Sequence, residues 1–133
     1  MKIVIDCNVL ISAGLTYGTC RKTLIEIVKN HEIYCSEEIT QEWAETIKKK
    51  KFEKDFSKLK KIVFHIAQQS NFVKIDQEKK SFNLPDKKDE IYLKTAFVAG
   101  AHFLITGNLK HFPEKNYCET KVINPSEFLH KVL

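Results

Sequence analysis

The chain has 133 residues, 43% hydrophobic and 29% charged, the size and balance of one ordinary domain able to bury a core. No apolar stretch approaches the roughly eighteen residues that a bilayer crossing requires, so no membrane partner is expected and a cytoplasmic location is the reading. The formal net charge of +5 favours polyanionic partners, and because Arg21 is the only arginine the surplus is lysine, suited to phosphate contact rather than base reading.

Ile3, Val4 and Ile5 form a β-branched run without a polar break, as expected of a strand buried on both faces. The run ends in Asp6. Asn8 and Ser12 follow on a turn and helix whose apolar residues are Val9, Leu10 and Ile11. A carboxylate at the end of a buried strand is costly unless something pairs with it. The carboxyl ends of strands in open α/β sheets are also where ligands bind.

Past a turn at Gly14–Gly18, a helix is expected over Thr19–Asn30 with Leu24, Ile25, Ile27 and Val28 as its apolar side, and then a strand at Ile33–Cys35. Ser36 is a good N-cap for a helix running to about Lys50. Ile39, Trp43 and Ile47 recur at i, i+4 and i+8 of that helix and face inward, with Glu42 at the edge of their stripe. Cys7 and Cys35 adjoin apolar runs and read as small buried hydrophobes. No C-x-x-C pair suggests a metal cluster.

Between Lys48 and Lys61 eight lysines stand against Glu53 and Asp55, a surplus of six positive charges. Phe56, Leu59, Ile62, Val63 and Ile66 mark an amphipathic helix through its second half. Lys48, Lys49, Lys50, Lys51, Lys54 and Lys58 read either as the solvated face of a helical hairpin or as an RNA-backbone contact surface.

Phe72–Ile75 is expected as an edge strand, followed by a polar loop over Asp76–Asp89 that carries Pro85. A helix should begin near Lys87 and run to about Ala99. Asp89, Leu93, Ala96, Phe97 and Gly100 share its sheet-facing stripe, with Asp86 and Glu90 nearby. The next strand, His102–Ile105, ends in Thr106-Gly107-Asn108, which offers two polar side chains around a permissive glycine. A turn or short helix at Leu109–Pro113 carries His111, in reach of phosphate near the same place. An edge strand at Lys121–Ile123 and a helix over Ser126–Val132, capped by Asn124, complete the chain.

This alternation predicts a single three-layer α/β/α domain over residues 1–133 with a central, mainly parallel sheet. Asp6 and Asn108 then lie at strand ends, and Glu42 and Asp89 arrive from helix turns. Clustered carboxylates repel one another unless cations neutralise them, and an all-oxygen set suits Mg²⁺ or Mn²⁺. An acidic, metal-loaded pocket in basic surroundings is the charge pattern of a metal-dependent nuclease.

The segments V-I-D-C-N-V-L-I-S at 4–12, S-E-E-I-T-Q-E-W at 36–43, P-D-K-K-D at 85–89 and I-T-G-N-L-K-H-F-P at 105–113 together resemble the PIN-domain family. The resemblance runs from Lys2 to about Leu129 and is closest to the toxin components of toxin–antitoxin pairs, the VapC-like ribonucleases. It implies a PIN-like fold, hydrolysis of RNA by an endoribonuclease dependent on Mg²⁺ or Mn²⁺, a small antitoxin partner and a homodimer. By position Asp6, Glu42 and Asp89 match three of the family's catalytic and metal-binding acids, and Asn108 occupies the fourth. Asp86 matches an accessory acid, and Asn8, Ser12 and Thr106 match supporting polar positions. Asn108 departs from the usual aspartate. The alternative is therefore a PIN-like RNA- or protein-binding domain with weak or no nuclease activity.

Overall fold

The computed structural model describes residues 1–133 as a six-stranded sheet flanked by helices. In chain order, β1 (Lys2–Ile5) leads into α1 (Cys7–Leu15) and α2 (Thr19–Asn30). Next, β2 (Glu32–Cys35) leads into α3 (Glu37–Ile47) and α4 (Phe56–Gln69), and β3 (Ser70–Phe72) precedes α5 (Glu90–Ala99). The strands β4 (Phe103–Ile105), β5 (Asn116–Tyr117) and β6 (Thr120–Ile123) are followed by α6 (Pro125–Val132). The sheet order is β3-β2-β1-β4-β6-β5, parallel throughout except for the antiparallel edge strand β5. This is the α/β arrangement expected from the alternating pattern.

The apolar runs occupy the centre. Ile3, Val4 and Ile5 of β1 are completely or almost completely buried, as are Leu104 and Ile105 of β4. Each such side chain contributes about 1.5–3 kcal/mol by leaving water. The two strands pair in register, Ile5 opposite Ile105, so the residues that follow them, Asp6 and Thr106, emerge side by side. A third anchor holds α3: the Ser36 hydroxyl accepts from Ile39 N at 3.3 Å and from Thr95 Oγ1 at 2.9 Å, tying the helix start to α5. Ile39, Trp43 and Ile47 face inward as expected. At Gly14 a Cβ would come within 2.8 Å of Ile62 Cδ1, so the glycine lets α1 and α4 approach closely.

Several expectations are corrected. The third strand lies at Ser70–Phe72 rather than Phe72–Ile75. Backbone pairing to β2, Ile33 with Ser70 and Cys35 with Phe72, selects these residues even though two of them are polar. The helix that starts after Ser36 stops at Ile47, and a 3₁₀ segment at Lys50–Asp55 turns the chain into α4. The helix expected from Lys87 starts as a 3₁₀ turn, Lys87–Asp89, and becomes α-helical only at Glu90. It ends at Gly100 in the left-handed conformation, φ +67°. Phe97 does not share its buried stripe but is 41% exposed, and Tyr92 and Thr95 are buried instead. Ile25 likewise faces outward from α2. The strand β5 had no counterpart in the sequence pattern. Its hairpin turns at Cys118, which adopts φ +56° without being the glycine or asparagine that usually marks such a turn.

Candidate active site

Asp6 stands at the N-cap position of α1 but does not cap it. A capping carboxylate accepts from the first-turn N–H groups, whereas Oδ2 of Asp6 accepts from Thr106 Oγ1 at 2.8 Å and from Asn8 Nδ2 at 3.3 Å. Asn8 reaches in both directions, because its Oδ1 also accepts from Gly107 N at 2.8 Å. The Thr106 hydroxyl in turn accepts from Asn108 N at 3.1 Å. The turn after β4 and the turn after β1 are thus laced together around one carboxylate. Asp6 is only 5% exposed, and burial raises its pKa above the usual carboxylate value despite the help of the Thr106 hydroxyl.

Glu42 enters from α3 and is held by Tyr92, whose hydroxyl donates to Oε1 at 2.6 Å. The same Tyr92 hydroxyl accepts from Cys7 N at 3.3 Å, so a buried phenol links Glu42 to the backbone that follows Asp6. Burial raises the pKa of Glu42, Asp6 and Asp86 add to the rise through their negative charge, and the Tyr92 hydrogen bond opposes it. Tyr92 itself is pushed well above 10, chiefly by burial and then by the neighbouring acids, so it donates its proton to Glu42 without losing it.

Asp89 closes the third side, at the junction of the 3₁₀ turn and α5. It is 8% exposed, and its Oδ2 is buried with no hydrogen-bond partner. His111 Nδ1 lies 3.1 Å from that oxygen, an ion-pair distance without hydrogen-bond alignment. Burial, and after it the charge of Asp6, pushes the Asp89 carboxyl up to about 6.

Asp6, Glu42 and Asp89 border a single cleft of about 600 Å³, together with Asn8, Ser12 and Asn108. Thr106 lies beneath it, fully buried. Asp86 borders an adjoining hollow that shares Glu42 and Asp89, and its Oδ1 accepts from Lys88 N at 3.0 Å. Glu90 turns away from the cleft and accepts from Phe82 N at 2.8 Å, fastening the preceding loop. The lysines divide: Lys49 and Lys51 border the cleft, while Lys48 and Lys50 flank a separate hollow beside Glu53 and Phe56. Lys58 pairs loosely with Asp55 at 4.0 Å on the surface.

Two contributors were missed or undervalued in the sequence. Tyr92 carried a signal in retrospect, an aromatic with a polar tip three residues after Asp89 on the inward side of a helix. His111 was legible as a residue near the Thr106–Asn108 turn and in reach of phosphate, but its approach to Asp89 was not.

No three of the His, Cys, Asp and Glu side chains form a ready-made metal cage. The cleft offers instead oxygen donors on several walls, mutually repelling acids and one buried carboxylate oxygen without a partner. Mg²⁺ keeps several of its waters and takes only one or two carboxylates directly, so these residues fit a hydrated hard cation.

A sequence profile for the PIN domain matches residues 2–110. No curated protein sequence matches the chain. Solved structures match it in fold. A chain in the crystal structure of VapBC2 from Rickettsia felis bound to a promoter DNA fragment is 19% identical, with TM-score 0.62 over 93% of this chain and 98% of that one. A chain of FitAB bound to the IR36 DNA fragment is 17% identical, with TM-score 0.59 over 92% and 94%. The PIN domain of T. brucei RRP44 is 11% identical, with TM-score 0.51 over 97% and 79%.

Proposed function

The chain belongs to the PIN-domain family, and from that premise we propose that it is a divalent-metal-dependent endoribonuclease, the toxin of a toxin–antitoxin pair. PIN domains are generally nucleases. The observation that carries the reading is the convergence of Asp6, Glu42 and Asp89 on one cleft with all three carboxyl pKa values raised. Perturbed acids in a cleft are characteristic of working sites.

Asp6, Glu42 and Asp89 would hold the ion, Mg²⁺ or Mn²⁺, with Asn108 and Asp86 assisting through water. When bound, such an ion neutralises the acids, activates a water for in-line attack on the phosphodiester and steadies the leaving oxygen. The chain's own residues supply placement. Thr106 and Asn8 hold Oδ2 of Asp6, and Tyr92 holds Oε1 of Glu42. Lys49 and Lys51 attract the RNA backbone to the rim, and the products carry 5′-phosphate and 3′-hydroxyl ends. Likeness to chains of the VapBC2 and FitAB complexes supports a small antitoxin as partner. A cytoplasmic location and a homodimer belong to the same proposal. No helix is long and apolar enough to cross a membrane.

A second reading, an RNA- or protein-binding PIN domain with little turnover, is favoured by Asn108. This residue brings no charge to the cleft, and its side-chain oxygen accepts from Lys110 N at 3.3 Å. Cleavage of RNA by the purified protein with Mn²⁺, abolished in Asp6→Asn, supports the nuclease. If wild type cleaves nothing and Asp6→Asn binds RNA and metal like wild type, the binding module is the correct reading. Asn108→Asp separates the two further, since it raises turnover only where a weak metal site already exists.

A further inference from the structure

Asn108 stands where a fourth acid was expected, and it commits its side chain to the backbone. Its Oδ1 caps the 3₁₀ turn Leu109–His111 by accepting from Lys110 N. That turn sets the half-exposed His111 over the cleft, with Nδ1 3.1 Å from Asp89 Oδ2. The contact is not an aligned hydrogen bond, because the buried Oδ2 has no hydrogen-bond partner. Two donors on one octahedral ion, each bonded at about 2.1 Å, stand about 3.0 Å apart along a cis edge. The His111–Asp89 pair already has that spacing. An ion bonded to both, set off the line that joins them, would satisfy both at once.

We propose that His111 Nδ1 and Asp89 Oδ2 form a nitrogen–oxygen pair of ligands for the divalent ion, with His111 filling the place that Asn108 leaves. The inference rests on the reading of the cleft as a metal site and specifies a donor and a metal preference within it. His111 binds as the neutral imidazole, its remaining proton on Nε2. A nitrogen donor moves the preference away from Mg²⁺ and toward the first-row ions, rising from Mn²⁺ through Co²⁺ to Ni²⁺.

The test uses the full chain loaded with Mn²⁺ and electron spin-echo envelope modulation, which detects a nitrogen bound directly to the ion. Wild type should show imidazole nitrogen modulation, and His111→Gln should lose it. Calorimetry on the same pair should show Mn²⁺ and Co²⁺ binding about tenfold weaker in the variant, with Mg²⁺ binding nearly unchanged. Mn²⁺ bound to wild type without nitrogen modulation overturns the assignment of His111 and leaves the metal site standing. Modulation that persists in His111→Gln overturns it as well. Failure of wild type to bind Mn²⁺ at all overturns both the ligand pair and the metal-site reading beneath it.

Discussion

Asp6 at the end of β1 and Asp89 at the start of α5 border the same cleft, yet only Asp6 is tied down. Asp6 receives hydrogen bonds from Thr106, directly after β4, and from Asn8, in the first turn of α1, and it directly follows β1, the strand paired with β4. Asp89 has a buried oxygen with no hydrogen bond and one ill-aligned imidazole beside it. The strand wall is pre-organised by the sheet itself. The helix wall is left polar, buried and unsatisfied, a state that costs stability and persists where function requires it. Under the proposed function the difference separates two tasks: the β1–β4 wall would position, and the α5 wall would receive the charge.

The largest expected effect comes from removing the positioned acid. Asp6→Asn should lower RNA cleavage more than about a hundredfold with the fold intact, measured by gel assay and circular dichroism. Retained cleavage would erase the distinction between the walls. Thr106→Val keeps Asp6 but removes its best donor, and should lower cleavage about tenfold. If Thr106→Val matches wild type, the hydrogen-bond lacing is structural only.

The helix wall gives a pH signature. The Asp89 carboxyl, ordinarily at 3.8, is pushed up to about 6, so the folded protein holds that proton more tightly than the unfolded chain. The stability this contributes is complete below about pH 4 and is lost as the pH rises through about 6. Metal-free Asp89→Asn should therefore melt about 3–6 °C above wild type at pH 7.5, with the gap closing toward pH 4. Parallel melting curves across that range would show that Asp89 is not the strained partner.

Sequence and structure agree best where a residue's placement depends on its own strand or helix. The Ile3–Ile5 run followed by Asp6 announced both the central strand and its terminal acid. Glu42 at the edge of the Ile39–Trp43–Ile47 stripe was readable for the same reason. Features that depend on pairing across the chain were hidden. The strand at Ser70–Phe72 is chosen by its hydrogen bonds to β2, against its polarity. The Tyr92 bridge exists only because α3 and α5 meet, and the unpartnered state of Asp89 has no one-dimensional signature at all. The lysine run looked uniform and is not, since a bend after Ile47 sends alternate residues to different hollows.

That division supplies the smallest expected effect. Lys49→Ala with Lys51→Ala should weaken RNA binding and reduce its salt slope by about 0.7 for each phosphate left without its lysine. Lys48→Ala with Lys50→Ala should leave the slope nearly unchanged. Anisotropy titrations over a range of salt concentrations read both pairs; slopes unchanged from wild type in both would return the run to a merely solvated face, and slopes lowered equally in both would erase the division.

Both walls have a purpose only if the cleft binds a divalent ion through Asp6. Calorimetric titration of the metal-free protein with Mn²⁺, beside Asp6→Ala, tests that binding without any assumption about substrate. One ion per chain in wild type and none in Asp6→Ala is the predicted result. Equal binding by the two proteins, or no binding by wild type, would contradict it.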